Sequence, residues 1–163
     1  MSRIAKILHL GNPFLRAASQ PIKNVHAESV KESISLLVDT VVCSPSWARC
    51  CHSPFPQKST PTGCGLAAPQ IGLNQRLFTF QERECDANSW VVCLNPVVTR
   101  SSKETRPYPE ACLSVPGYIS VCFTHHVLLH LLVVCSFIGI VHRSKLVEVE
   151  YQSVDGKKQT RRL

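Results

Sequence analysis

Gly63-Cys64-Gly65-Leu66-Ala67-Ala68-Pro69-Gln70 is the stretch on which the reading of this chain turns. Its glycines let the backbone approach a ligand with no Cβ in the way. Its alanines keep the wall thin, and Gln70 offers an amide that both donates and accepts. Downstream, Glu110-Ala111-Cys112-Leu113-Ser114-Val115-Pro116-Gly117 sets a thiol between an acid and a Pro-Gly turn. A backbone cradle, an amide donor and a thiolate suit an amide hydrolase that works with a bound metal. Taken singly, each has a plainer reading: turn glycines, a loop-closing glutamine, and a cysteine acting as a small buried hydrophobe.

In this order the two runs resemble the motifs of peptide deformylases. The first matches G-x-G-x-A-A-x-Q throughout. The second matches E-G-C-L-S except that Ala111 stands at the usual glycine. The family's third motif, H-E-x-x-H, occurs at none of the 7 histidines. The resemblance covers about residues 4–118 and 145–160, starting with Ile7-Leu8-His9-Leu10-Gly11-Asn12-Pro13.

The resemblance implies an α+β fold of antiparallel sheets with an N-terminal helix. The family's central metal-binding helix has no counterpart in these residues, so the single domain is expected to be incomplete. The implied reaction is metal-dependent removal of the formyl group from the N-terminal formyl-methionine of new proteins. Cys112 would be a ligand to a divalent metal, Fe(II) or Zn(II). Gln70 and the backbone N–H of Leu113 would stabilise the oxyanion. Gly63, Cys64, Gly65 and Leu66 would pair with the substrate backbone, and Glu110 would support the cysteine loop. The implied partners are formyl-Met nascent peptides and the ribosome, with no role for DNA. The implied location is the cytoplasm of a bacterium, or a mitochondrion or plastid, although no transit peptide or secretory signal opens the chain. The competing reading is a catalytically inactive deformylase-like fragment, tethered to a membrane through residues 119–141.

Composition fits a globular chain: 163 residues, 44% hydrophobic, 18% charged, net charge +7. Nine cysteines, an odd count without a signal peptide, favour a reducing compartment. The basic end, Lys157, Lys158, Arg161 and Arg162, reads as a solvated, frayed terminus, with RNA contact as the alternative.

Val30, Ile34, Leu37, Val38 and Val41 recur at helical spacing and predict a helix over 27–42. Strands are expected within 73–81, 89–98 and 145–152, with Cys112–Val115 at a sheet edge. Asp155-Gly156 predicts a hairpin turn.

Two stretches do not fit the family pattern. Residues 43–62 carry Pro45, Pro54, Pro56 and Pro61 and read as an inserted loop. Residues 119–141 contain no Asp, Glu, Lys or Arg and read as an apolar insertion, of the kind a retained intron would give. A membrane span is the second reading there, opposed by His125, His126 and His130 in mid-segment. His126 and His130 could share a helical face and join Cys112 as metal ligands. Val127, where a glutamate would be needed, argues against that set.

Overall fold

A computed structural model describes residues 4–43, 65–82, 90–115 and 138–163. The predicted helix is α1, Glu28–Cys43. Its heptad-like spacing puts Val30, Leu37 and Val41 on one face, and all three are buried. Thr40 is buried beside them without being left unpaired. Its hydroxyl donates to the Leu36 carbonyl at 2.6 Å and accepts from the Ala5 N–H at 2.9 Å.

The sheet that α1 covers has five antiparallel strands. In chain order they are β1 (Gly65–Ala67), β2 (Leu77–Gln81), β3 (Trp90–Ser101), β6 (Val147–Gln152) and β7 (Lys158–Arg162), and they lie side by side in that order. Alternation along the strands sends Leu66, Leu77 and Leu94 to the helix side, where they join Val30, Leu37 and Val41 in one core. Burying a leucine of this kind is worth about 1.5–3 kcal/mol. Thr79 is also fully buried on β2, and its hydroxyl donates to the Val91 carbonyl at 2.9 Å.

Two further strands, β4 (Thr105–Ala111) and β5 (Ile138–Ser144), pair with each other and, among the described residues, with no other strand. β4 holds Pro107 and Pro109, which a two-stranded ribbon tolerates because each strand has an outward edge. Residues 138–141, the last four of the apolar run, belong to β5 and pair with Tyr108–Ala111. The rest of that run, and all of 43–62 beyond Cys43, lie outside the described residues.

Asn95 joins three parts of the chain. It sits at φ 51°, a left-handed conformation that asparagine accepts more readily than most residues. A register shift between Leu94 and Val97 marks the bulge there. Its side chain accepts from the Ile22 N–H at 2.8 Å. It also donates to the Ile22 carbonyl at 2.9 Å and to Gln152 Oε1 at 2.8 Å.

The basic end departs from expectation. Lys158–Arg162 is not frayed but forms edge strand β7, in register with β6. The turn before it has Gly156 at φ 76°, as the Asp-Gly pair predicts. Arg161 pairs with Glu82 at 2.8 Å and lies over the Phe80 ring at 5.7 Å, while Arg162 pairs with Glu148 at 3.1 Å. These long-range contacts tie down a segment with no apolar pattern of its own.

Candidate active site

Ala68–Ile71 turns as a short 3-10 helix directly after β1. Pro69 favours that turn, and Gly72, at φ 80°, ends it. Gln70 is thereby aimed back over β1. Its Oε1 accepts from the Ala67 N–H at 2.9 Å. A backbone N–H can only donate, so this bond fixes which end of the amide is oxygen. The NH₂ group must then face the other way. There it donates to Ser114 Oγ at 3.1 Å and reaches Cys112 Sγ at 3.9 Å, across 42 residues of sequence.

The thiol comes from the opposite direction. Cys112–Val115 is not an edge strand, as expected from sequence, but a turn that follows β4, closed by Val115 N–H to the Cys112 carbonyl at 3.0 Å. Leu113 is half-buried and packs on the core, and Ser114 is buried, so the loop is anchored on both sides of its backbone. Cys112 itself is exposed. Cys93, by contrast, is buried on β3. Burial pushes its thiol up to about 11, against the lowering effect of Arg161, which makes it a poor nucleophile or ligand.

Of the residues singled out in the sequence, the fold brings Gln70 and Cys112 together, with Leu113 beside them. Gly65 and Leu66 lie on β1, which among the described residues is an edge strand and leads into the Gln70 turn. A Cβ on Gly65 would meet the Thr79 carbonyl oxygen at 3.0 Å, so a side chain there would press on the β2 backbone. Glu110 is in β4, opposite Gly139, with its side chain outside the described set. Gly63, Cys64, His126 and His130 also lie outside the described residues.

Two features were not singled out in advance. One is Ser114, whose buried hydroxyl accepts from Gln70. Its only sequence signal is its place in the cysteine motif. The other is the N-terminal segment, which straps the two turns together. The Leu8 N–H donates to the Gln70 carbonyl at 2.7 Å, and the Leu10 N–H to the Ser114 carbonyl at 2.7 Å. The Leu10 side chain is 69% exposed, so its contribution is mainly through the backbone. Leu10→Pro, which deletes one of these bonds, should therefore destabilise the chain by about 1–3 kcal/mol, while Leu10→Ala should cost under about 0.5 kcal/mol. Urea unfolding checks this, and equal losses in the two variants would refute the strap.

A family model described as polypeptide deformylase matches residues 4–125. The peptide deformylase of Rhizobium meliloti (strain 1021) is 28% identical over 157 residues, covering 96% of this chain and 69% of the relative. That of Thermotoga neapolitana is 30% identical over 147 residues, covering 90% of this chain and 65% of the relative. Among solved structures, the Legionella pneumophila peptide deformylase is similar with a TM-score of 0.68 at 27% identity, over 98% of this chain and 72% of that one. The Thermotoga maritima enzyme gives a TM-score of 0.67 at 24% identity, over 99% and 82%. With the family model spanning most of its length, and the amide and thiol of the two motifs meeting in space, this chain belongs to the polypeptide deformylase family.

Proposed function

We propose that the Gln70–Cys112 region is the substrate-binding half of a deformylase site, and that its ligand is the N-terminal formyl-methionine of a new polypeptide. The observation that carries this reading is the Gln70 amide, locked by Ala67 with its NH₂ turned toward the Cys112 thiol. A formyl oxygen placed between Gln70 and the thiol would accept from that NH₂ and from the Leu113 backbone. Donors fixed in advance act most strongly as charge develops on the oxygen. Among the described residues β1 is the end strand of its sheet, and its outer side at Gly65 offers backbone groups for pairing with an extended peptide.

The family chemistry is hydrolysis of the formyl C–N bond with a bound divalent metal. The described residues do not by themselves complete a site for such a metal. Among the described residues no three His, Cys, Asp or Glu side chains converge, and Cys112 is a single donor. A catalytic site needs about three protein ligands. No H-E-x-x-H exists to supply histidines and a general base. Those two observations favour a second reading, in which the chain binds formylated N-termini without turning them over.

Binding of an N-formyl-methionyl tripeptide, followed by calorimetry on the full chain, tests the site. Gln70→Glu keeps an oxygen for Ala67 but removes the donor and adds a repelling charge. It should weaken binding about 10-fold or more. Equal affinity in Gln70→Glu and the parent would sink the assignment of Gln70.

A further inference from the structure

The last torsion of a glutamine side chain is broad, so the amide plane is set by what its two ends bond to. In Gln70 the oxygen end is fixed by the Ala67 N–H at 2.9 Å. That bond alone leaves the amide free to pivot about the line from Ala67 to Oε1. The nitrogen end has two neighbours. Cys112 Sγ, at 3.9 Å, is a weak acceptor and a distant one. Ser114 Oγ, at 3.1 Å, is within ordinary hydrogen-bond reach, and its residue is only 5% exposed, where water competes poorly. Ser114 is therefore the partner that stops the pivot.

The same bond is not what joins the two turns. The N-terminal strap already holds both backbones, through the Leu8 N–H on the Gln70 carbonyl and the Leu10 N–H on the Ser114 carbonyl, each at 2.7 Å. Removing the serine hydroxyl leaves those bonds in place and releases only the amide. An amide NH₂ has two N–H groups. Ser114 takes one, and the other is left for a ligand beside Cys112. We infer that Ser114 is a positioning residue, whose hydroxyl fixes the plane of the Gln70 amide so that its second N–H meets an incoming formyl oxygen. The inference rests on the proposed binding of formylated N-termini and deepens it. A donor already held in place loses less freedom on binding than one that must be ordered by the ligand.

Calorimetry compares an N-formyl-methionyl tripeptide with the same tripeptide unformylated, on the full chain, Ser114→Ala, Gln70→Ala and the double variant. Ser114→Ala should reduce the preference for the formylated peptide about 2- to 10-fold, the worth of one ordinary hydrogen bond. In the Gln70→Ala background the same change should alter the preference by less than about 2-fold, because a residue that acts through Gln70 has nothing left to position. In the ligand-free chain, Ser114→Ala should also move the Gln70 NH₂ resonances, identified by their loss in Gln70→Ala. Those of Asn95, bonded to Ile22 and Gln152, should stay in place. Parent-like preference in Ser114→Ala, where Gln70→Ala has lost it, would overturn the inference and spare the reading of Gln70. So would an equal loss in both backgrounds, unmoved Gln70 resonances, or a shift that extends to Asn95. A parent chain that binds both peptides alike, or a Gln70→Ala variant that keeps the preference, would remove the binding reading itself and this inference with it.

Discussion

The purified chain is expected to release formate from N-formyl-methionyl peptides about 10⁴-fold more slowly than the Thermotoga maritima enzyme, whether Fe(II), Zn(II) or Co(II) is supplied. A positioned general base alone is worth about 10²–10⁴-fold, and a metal that generates hydroxide near neutral pH adds more. The sequence offers no H-E-x-x-H for either role, and the described residues bring one thiol to the site. The Gln70 amide and the Leu113 N–H can hold and polarise a carbonyl but do not generate hydroxide. Formate-dehydrogenase-coupled assays measure the rate. Turnover within about 10²-fold of the enzyme, lost on both Cys112→Ser and His126→Ala, would show that residues 119–141 supply ligands after all.

The largest stability effect is expected at Leu94. It is 0% exposed at the centre of β3, with Leu77 of β2 and Gln152 of β6 as its register partners. It belongs to the core shared with Val30, Leu37 and Val41 of α1. Leu94→Ala removes these contacts and leaves a cavity between sheet and helix, at a cost of about 3–5 kcal/mol. For a chain of this size that corresponds to a fall in Tm of about 10 °C. Val98→Ala, on the same strand but with its side chain 61% exposed, should change Tm by less than about 2 °C. Calorimetry on both variants checks the assignment of faces, and a larger loss from Val98→Ala would reverse it.

Much of this architecture was legible where burial writes a period into the sequence. Helix α1 was readable because Val30, Leu37 and Val41 repeat with the helical turn. β2, β3 and β6 were readable from β-branched and aromatic runs bounded by turn residues. β7 was not, because its side chains are polar and its anchors, Glu82 and Glu148, lie far away in sequence. β4 was hidden by its two prolines, which argue against a central strand but not against a ribbon strand. The start of β5 was hidden inside an unbroken apolar run, where alternation cannot be seen.

The site divides in the same way. Gln70 and Cys112 stood out through their motifs, and those motifs also identified the family. Neither motif said which way the Gln70 amide points, because that depends on the Ala67 N–H and the Ser114 hydroxyl. The strap from Leu8 to Leu10 left no mark at all. It acts through backbone groups, which every sequence contains.

The central claim is that the Gln70 amide is held against the Cys112 thiol. ¹⁵N-labelled glutamine and asparagine side chains report on it directly, with Gln70 identified by its loss in Gln70→Ala. Converting Cys112 to alanine should shift the Gln70 NH₂ resonances and leave those of Asn95 in place, because the Asn95 bonds to Ile22 and Gln152 are remote from the thiol. Gln70 resonances at the position of a free glutamine, unmoved by Cys112→Ala while Asn95 stays displaced, would contradict the account.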